Sequence, residues 1–423
     1  MPDDHDAFVR HHLRHNLVAL GADYALFLVG FSFASQSTIL PAFAEHLRAP
    51  NVVIGAIPAV MTVGWYLPSL FAAGHTETLA RRLPFVLRYT VWERAPFLVL
   101  ALAAFVLAER APALTLALLL VMLLVITGVG GALMPAWMDV VGRTIPTTLR
   151  GRFFAVASVL ASAGGLIGSF GTAYILAAVR APLSYGVCFL ITAVFMGLSY
   201  AALTLTREPP AVVTSPPVPL GTYLSRIPAL LRRDRNLMWF LAARSFAIFG
   251  MMASGFFTVY ALRALGAAPW HVGVFTAVLL AGQIAGNVAL GWLADHAGHR
   301  LAIMIGVGAT VGANLVALGA PSLPVFSVVF ALSGVQVAAI NVSSLNVLLE
   351  FAPGTAERPT YVGLGTTSLA PVAFAAPLLA GALVDTVGFP PVFSAAALFG
   401  VVGLSLLATR VRDPRHLPEA VTE

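Results

Sequence analysis

The residues of this chain that could do chemistry are the few polar ones set inside long apolar runs, and two of them carry opposite charge. Asp23 stands seven residues after Asn16 and Arg244 eight after Asn236, which at 1.5 Å per helical residue puts each about 10 Å inside its run. A carboxylate there is suited to taking up and releasing a proton, and a guanidinium to holding a carboxylate. An isolated charge in hydrocarbon costs about 2.5 to 3.5 kcal/mol on insertion scales, so Asp23 and Arg244 are expected to pair and act as a coupling or gating couple. Among uncharged groups, Gln36, Gln336 and Asn341 offer hydrogen bonds to a solute, and Trp137 offers a wall for an apolar one. Gln283 and Asn287, one turn apart among small residues, read as helix-packing groups. His11 and His15 have helical ligand spacing but no third ligand beside them, so no metal is expected. All ten histidines fall in loops or tails, and no Ser/His/Asp set lies at membrane depth. No catalytic residue, no cofactor and no enzyme activity are therefore expected.

The elements that must position these groups follow from composition. Of 423 residues, 59% are hydrophobic and 10% charged, with a mean hydropathy of +0.90, which describes an all-α polytopic membrane protein. Every basic residue is arginine, so a phosphate-binding loop ending in Lys-Ser/Thr is impossible. The arginines sit in short clusters between apolar runs and give no reason to expect nucleic acid as a partner. The one cysteine, Cys188, lies within an apolar run and excludes an intrachain disulfide. Spans of about 20 residues cross a bilayer core of about 30 Å. Twelve are expected, near 17–43, 52–73, 95–109, 113–141, 152–179, 184–205, 237–262, 270–294, 301–319, 323–349, 360–386 and 389–410. The first is too long for a signal-peptide core.

A Pro-rich stretch, REPPAVVTSPPVPLG, and an amphipathic piece from Tyr223 to Arg235 separate the two sets of six. The resulting division is a tail over 1–16, a six-helix bundle over 17–206, a linker over 207–235, a second bundle over 236–410 and a tail over 411–423. Nineteen arginines fall on the side that holds both termini, against Arg48, Arg110, Arg180 and Arg263 on the other. That asymmetry makes both termini cytoplasmic. A shift of 218 residues pairs Leu47 with Leu265, Ala49 with Ala267, Gly55 with Gly273, Ala59 with Ala277 and Val60 with Val278. These matches indicate a parallel repeat of the two bundles.

Between the eighth and ninth spans stands GWLADHAGHR, with Gly291, Asp295, Gly298 and Arg300 at the spacing G-x-x-x-D-x-x-G-x-R. This resembles the loop signature of the major facilitator superfamily, with His296 and His299 where the family usually has basic residues. GHTETLARR, from Gly74 to Arg82, looks like a degraded copy, with Glu77 near the acid. The resemblance implies the major facilitator fold, twelve transmembrane helices in two pseudo-symmetric six-helix bundles, with helices one, four, seven and ten around the cavity. It also implies that Asp295 latches onto the start of the fifth helix at Arg150, Gly151 and Arg152, and that Glu77 does the same against Arg358. Two marks of drug exporters are incomplete: a basic residue in the fourth helix is missing, and AGGLIGSFG at 163–171 lacks its proline.

The resulting expectation is a monomeric multi-pass protein of the plasma membrane that moves a small organic solute, anionic or zwitterionic, by alternating access with proton coupling. The alternatives are a drug or metabolite exporter, or a transporter-like receptor or assembly factor. A reporter active only in the cytoplasm should be active when fused at Ser215 or after Glu423 and silent near Gly266; activity at Gly266 inverts the topology.

Overall fold

A computed structural model describes residues 2–77, 79–209, 233–352 and 358–413. Its helices in the first half of the chain are α1 (Pro2–Ser32), α2 (Ile39–His46), α3 (Asn51–Glu77), α4 (Leu83–Tyr89), α5 (Val91–Arg94), α6 (Pro96–Val106), α7 (Pro112–Thr144), α8 (Thr147–Ala178) and α9 (Leu183–Thr204). The second half holds α10 (Arg235–Gly250), α11 (Phe256–Arg263), α12 (His271–Ala297), α13 (His299–Gly319), α14 (Leu323–Phe326), α15 (Val328–Phe351), α16 (Arg358–Val387) and α17 (Phe389–Thr409). They compose twelve spans. Ten helical stretches among the described residues are long and apolar enough to cross a membrane. The first and seventh spans complete the set: α1 carries His15, Asn16 and Asp23, and the seventh is split into α10 and α11, each too short to count by itself.

Three expected spans are corrected in their detail. The first runs on through residues 33–38 as turns before α2, and the seventh turns through 251–255 before α11. These two breaks are related by the 218-residue shift of the sequence repeat. In both, tight i to i+3 bonds replace the α-helical ladder, as from Phe33 N–H to Gly30 O (3.1 Å) and from Ser254 N–H to Met251 O (3.0 Å). The third span starts at Leu83 rather than 95 and extends to Val106 as α4, α5 and α6. Pro84 and Pro96 each open a new helical segment, where their missing N–H costs nothing. Arg88, Glu93 and Arg94 therefore belong to a membrane span, not to a loop.

The chain divides into two compact units: Met1–Ser35, His46–Arg48 and Val60–Leu220 form one, and Gln36–Glu45, Ala49–Ala59 and Gly221–Glu423 the other. In the first unit the first span packs on the fifth and sixth, and the third on the fourth and sixth. In the second unit the seventh packs on the twelfth, the ninth on the tenth and twelfth, and the eighth on the tenth.

Two internal staples repeat between the units. Asn16 donates to Arg207 O (3.0 Å) and accepts from Arg207 N–H (2.9 Å); Asn236 does the same with Arg412 O (2.9 Å) and Arg412 N–H (2.8 Å). In each case a side chain of the first helix of a bundle completes the backbone that leaves its last helix. Glycine contacts repeat as well. Gly64 packs against Thr127 and Gly282 against the Ala331 carbonyl, again 218 residues apart, and Gly250 lies on Gly400. Without water to bind, helices gain most from close backbone approach, which small residues permit.

The segments that the second unit takes from the start of the chain are held by polar bonds. Thr38 bonds Thr276 (2.7 Å) and Thr258 donates to Ser37 O (2.9 Å). Asp385, near the end of α16, accepts from Asn51 Nδ2 (2.6 Å) and from the N–H groups of Asn51 and Val52 (both 3.2 Å) at the head of α3. Arg263 donates to Asn51 Oδ1 (3.0 Å) and pairs with Glu45. Asp385 thus places a negative charge on the positive end of α3.

A Cβ on Gly334 would run into the Leu279 carbonyl and Gln283 N of the eighth span, whereas one on Gly308 would meet nothing within 4 Å. Gly334→Ala should therefore lower stability by about 1 to 3 kcal/mol, and Gly308→Ala should leave it equal or slightly higher. Thermal unfolding of the purified protein measures both, and equal melting temperatures would mean that the eighth and tenth spans are not in backbone contact.

Candidate functional site

The third span brings a charge cluster into the middle of the first unit. Thr90 ends α4 and donates through its hydroxyl to Glu93 Oε2 (2.8 Å), while the Ala95–Pro96 step ends α5 just after Arg94. Glu93 and Arg94 are thereby carried inward, each 7% exposed. Arg94 Nη1 reaches Glu93 Oε2 at 3.0 Å, and Arg94 Nη2 reaches Asp23 Oδ1, on α1, at 2.9 Å. Ser199 on α9 donates to the same Asp23 oxygen at 2.6 Å and accepts from Arg94 Nη2 at 3.1 Å. Trp137 on α7 donates its indole N–H to Asp23 Oδ2 at 3.0 Å. The guanidinium carbon lies 5.2 Å from the centre of the Phe27 ring, and the Trp137 indole stacks on Tyr24 at 6.0 Å. Helices one, three, four and six thus converge on one polar knot.

The ion-pair partner of Asp23 in this arrangement is Arg94, not the Arg244 expected from sequence. Arg94 lay hidden because it ends a stretch that begins with Arg88 and reads as a loop by hydropathy. The available signal was the Glu93–Arg94 dipeptide itself, flanked by apolar residues on both sides and self-neutralising. Asp23 is 2% exposed, and Trp137 donates a hydrogen bond to it.

In the second unit Arg244 and Gln336 meet. Both are buried, and both line a small cavity with Met251, Gly306 and Thr310. Its volume is about 10 Å³, on the order of one water molecule. Gln336 Nε2 lies 3.0 Å from Met251 Sδ, in the break of the seventh span. Asn341 and Gln36 are exposed, Asn341 on α15 and Gln36 in the break of the first span. The structure places neither in this cavity.

The loop signature is built as its glycine demands. Gly298 has φ of +97°, and a Cβ there would meet the Asp413 carboxylate at 2.5 Å. Arg300 donates to Leu407 O (3.0 and 2.7 Å) and Ala408 O (2.9 Å), closing the last turn of α17. Asp295 is exposed at the end of α12, and Gly291 lies a turn before it. In the first unit Glu208 caps the head of α4, accepting from the N–H groups of Arg82 (2.9 Å) and Leu83 (2.8 Å). Beside it Asp139 pairs with Arg82 and Arg143, both at 2.8 Å. Arg150 is tied to Ile145 O at 2.9 Å and to Gly142 O. Arg152 lines an apolar groove between α1 and α8 with Leu17, Gly21 and Phe153. The side chains of Glu77 and Arg358 lie outside the described residues, as does most of the expected linker helix.

The described residues thus form a helical bundle of twelve spans, internally duplicated and with charged groups buried in each unit. Residues 247–423 match the family model for the Major Facilitator Superfamily. Among solved structures, a mutant of the nucleoside transporter NupG is similar with a TM-score of 0.71 and 11% identity, over 93% of this chain and 98% of that one. A bacterial homologue of the iron transporter ferroportin in an inward-facing state gives 0.69 and 12%, over 94% and 99%. The human organic anion transporter MFSD10 (TETRAN) gives 0.60 and 16%, over 93% and 99%. No curated protein matches the sequence. The family match covers residues 247–423, and over nearly the whole chain the fold is similar to that of these solved structures.

Arg94→Gln would leave Asp23 and Glu93 buried without a counter-charge and should cost about 3 to 5 kcal/mol, whereas Trp137→Phe removes one hydrogen bond and should cost about 1 kcal/mol. Thermal melting of the two variants decides: a loss in Arg94→Gln no larger than in Trp137→Phe would show that the cluster does not hold the unit together.

Proposed function

We propose that the protein is a proton-coupled secondary transporter that moves a small organic solute by alternating access, with both termini in the cytoplasm. The observation that supports proton coupling is the composition of the buried cluster. Two carboxylates, Asp23 and Glu93, face one guanidinium, Arg94. Fully ionised, the set carries one uncompensated negative charge in a low-dielectric interior, which is costly. Binding one proton neutralises it. Such a site changes its charge by one unit each time it exchanges a proton, which is what coupling to a proton gradient requires.

The second unit supplies the solute-facing chemistry in this reading. Arg244 matches a carboxylate or phosphate, and Gln336 beside it supplies a neutral donor and acceptor. An anionic or zwitterionic small molecule suits that combination. The break at 251–255 adjoins the same cavity through Met251, and interrupted helices are where transporters commonly bind solute. Asp295, in the loop signature, serves in this scheme as a latch between conformations, worth about 1 to 3 kcal/mol. The arginine asymmetry sets the orientation in the plasma membrane.

The test is reconstitution of the full chain into proteoliposomes loaded with a pH-sensitive dye, challenged with a panel of small carboxylates and amino acids under an imposed pH gradient. The expected result is solute accumulation accompanied by proton movement. Asp23→Asn should abolish uphill accumulation and leave solute exchange, while Arg244→Ala should raise the apparent KM at least about tenfold, or 1.4 kcal/mol. Accumulation that is indifferent to the pH gradient, in wild type and Asp23→Asn alike, rules out proton coupling.

A further inference from the structure

We propose that the exchangeable proton resides on Glu93 Oε1, and that Asp23 and Arg94 form the fixed ion pair that sets it there. The inference rests on the proton-coupled reading for its role in transport; the assignment itself comes from the hydrogen bonds of the cluster. Asp23 receives three donors: Arg94 Nη2 and the Ser199 hydroxyl on Oδ1, and the Trp137 indole N–H on Oδ2. Both of its oxygens are engaged as acceptors, which is the pattern of an ionised carboxylate. A proton placed on Oδ2 would compete with the Trp137 indole N–H, which has no other acceptor among the described residues.

Glu93 is arranged differently. Its Oε2 takes the Thr90 hydroxyl and Arg94 Nη1, while Oε1 receives no hydrogen bond among the described residues. Oε1 instead points at the glycine face of α7. A Cβ on Gly130 would lie 2.5 Å from Oε1 and 2.8 Å from the Trp65 ring atoms Cζ3 and Cη2. The oxygen without a donor is thus held against a bare backbone and an indole edge. An anion there has no donor facing that oxygen among the described residues, whereas a hydroxyl needs none, so the acid form is the one that fits.

The charged groups facing Glu93 are Arg94, beside it on α5, and Asp23, across from it on α1. α9 contributes Ser199 and α7 contributes Trp137, neither of which titrates in this role. The balance is then one proton: water on one side of the membrane supplies H⁺ to Oε1, an O–H bond forms and the cluster becomes neutral. Breaking that O–H bond returns H⁺ to water on the other side and leaves the cluster with a single negative charge.

Infrared difference spectroscopy of the full chain in lipid nanodiscs reads this assignment without any solute. The carbonyl stretch of a protonated carboxylic acid should be present at acidic to neutral pH and vanish on alkalinisation. Thr90→Val removes a donor to Oε2, so it should shift that band to higher frequency; Ser199→Ala removes a donor to Asp23 and should leave the band in place. Glu93→Asp, which keeps an acid at the position, should also move it. A band that moves with Ser199→Ala but not with Thr90→Val or Glu93→Asp overturns the assignment in favour of Asp23, with proton coupling intact. Absence of any titrating acid band in the wild type overturns it outright. If the band follows Thr90 and Glu93 but proteoliposomes move no protons with solute, the assignment stands and the transport coupling is what fails.

Discussion

A charge buried among helices must be answered by another group of the protein, because no water is present to answer it, and the first unit depends on that constraint. Arg94 is the answer to two acids at once. Its guanidinium reaches Asp23, Glu93 and Ser199 from a single position, so the third span must stand where Arg94 can touch the first and sixth. The turns at Thr90 and Ala95 place it there. A neutral substitute would leave the acids exposed to one another, and the packing of these spans would lose its reason for this register.

The same constraint explains the hydrogen bonds at the helix ends. Every span leaves N–H groups at its start and carbonyls at its end that have no partner within the helix. Glu208 takes two such N–H groups at α4, Asp385 takes two at α3, and Arg300 takes two carbonyls at α17. Asn16 and Asn236 tie the first and last helices of their bundles by identical pairs of bonds. The duplication is therefore visible in the hydrogen bonds as well as in the sequence: Asn16 and Asn236 complete the departing backbone with the same chemistry.

Hydropathy made the number of spans legible, because an apolar run of the right length has one main use in such a composition. It failed where charge and burial coincide. Arg88, Glu93 and Arg94 lowered the local average and moved the expected start of the third span to residue 95, so Arg94 was assigned to a loop and Asp23 to the wrong arginine. The breaks at 33–38 and 251–255 were also hidden: the first carries no glycine or proline within it, and each is followed by an apolar stretch that lets the run continue. Asp23, Trp137, Arg244 and Gln336 could be singled out because each is polar within an apolar run. Ser199 and Thr90 could not, since hydroxyls are common in such helices and usually bond the backbone of their own turn.

One helix carries polar contacts at its head and an indole further along, and its residues divide between the two units. α3 belongs to the second unit from Asn51 to Ala59 and to the first from Val60 onward. At its head Asn51 is held by Asp385 and Arg263; fourteen residues on, Trp65 stands with Glu93 Oε1 in front of Gly130. The separation along a rigid helix is about 21 Å. Between the two places stands Pro58, which lacks the N–H that would bond the carbonyl four residues before it, so the backbone ladder of α3 is interrupted there.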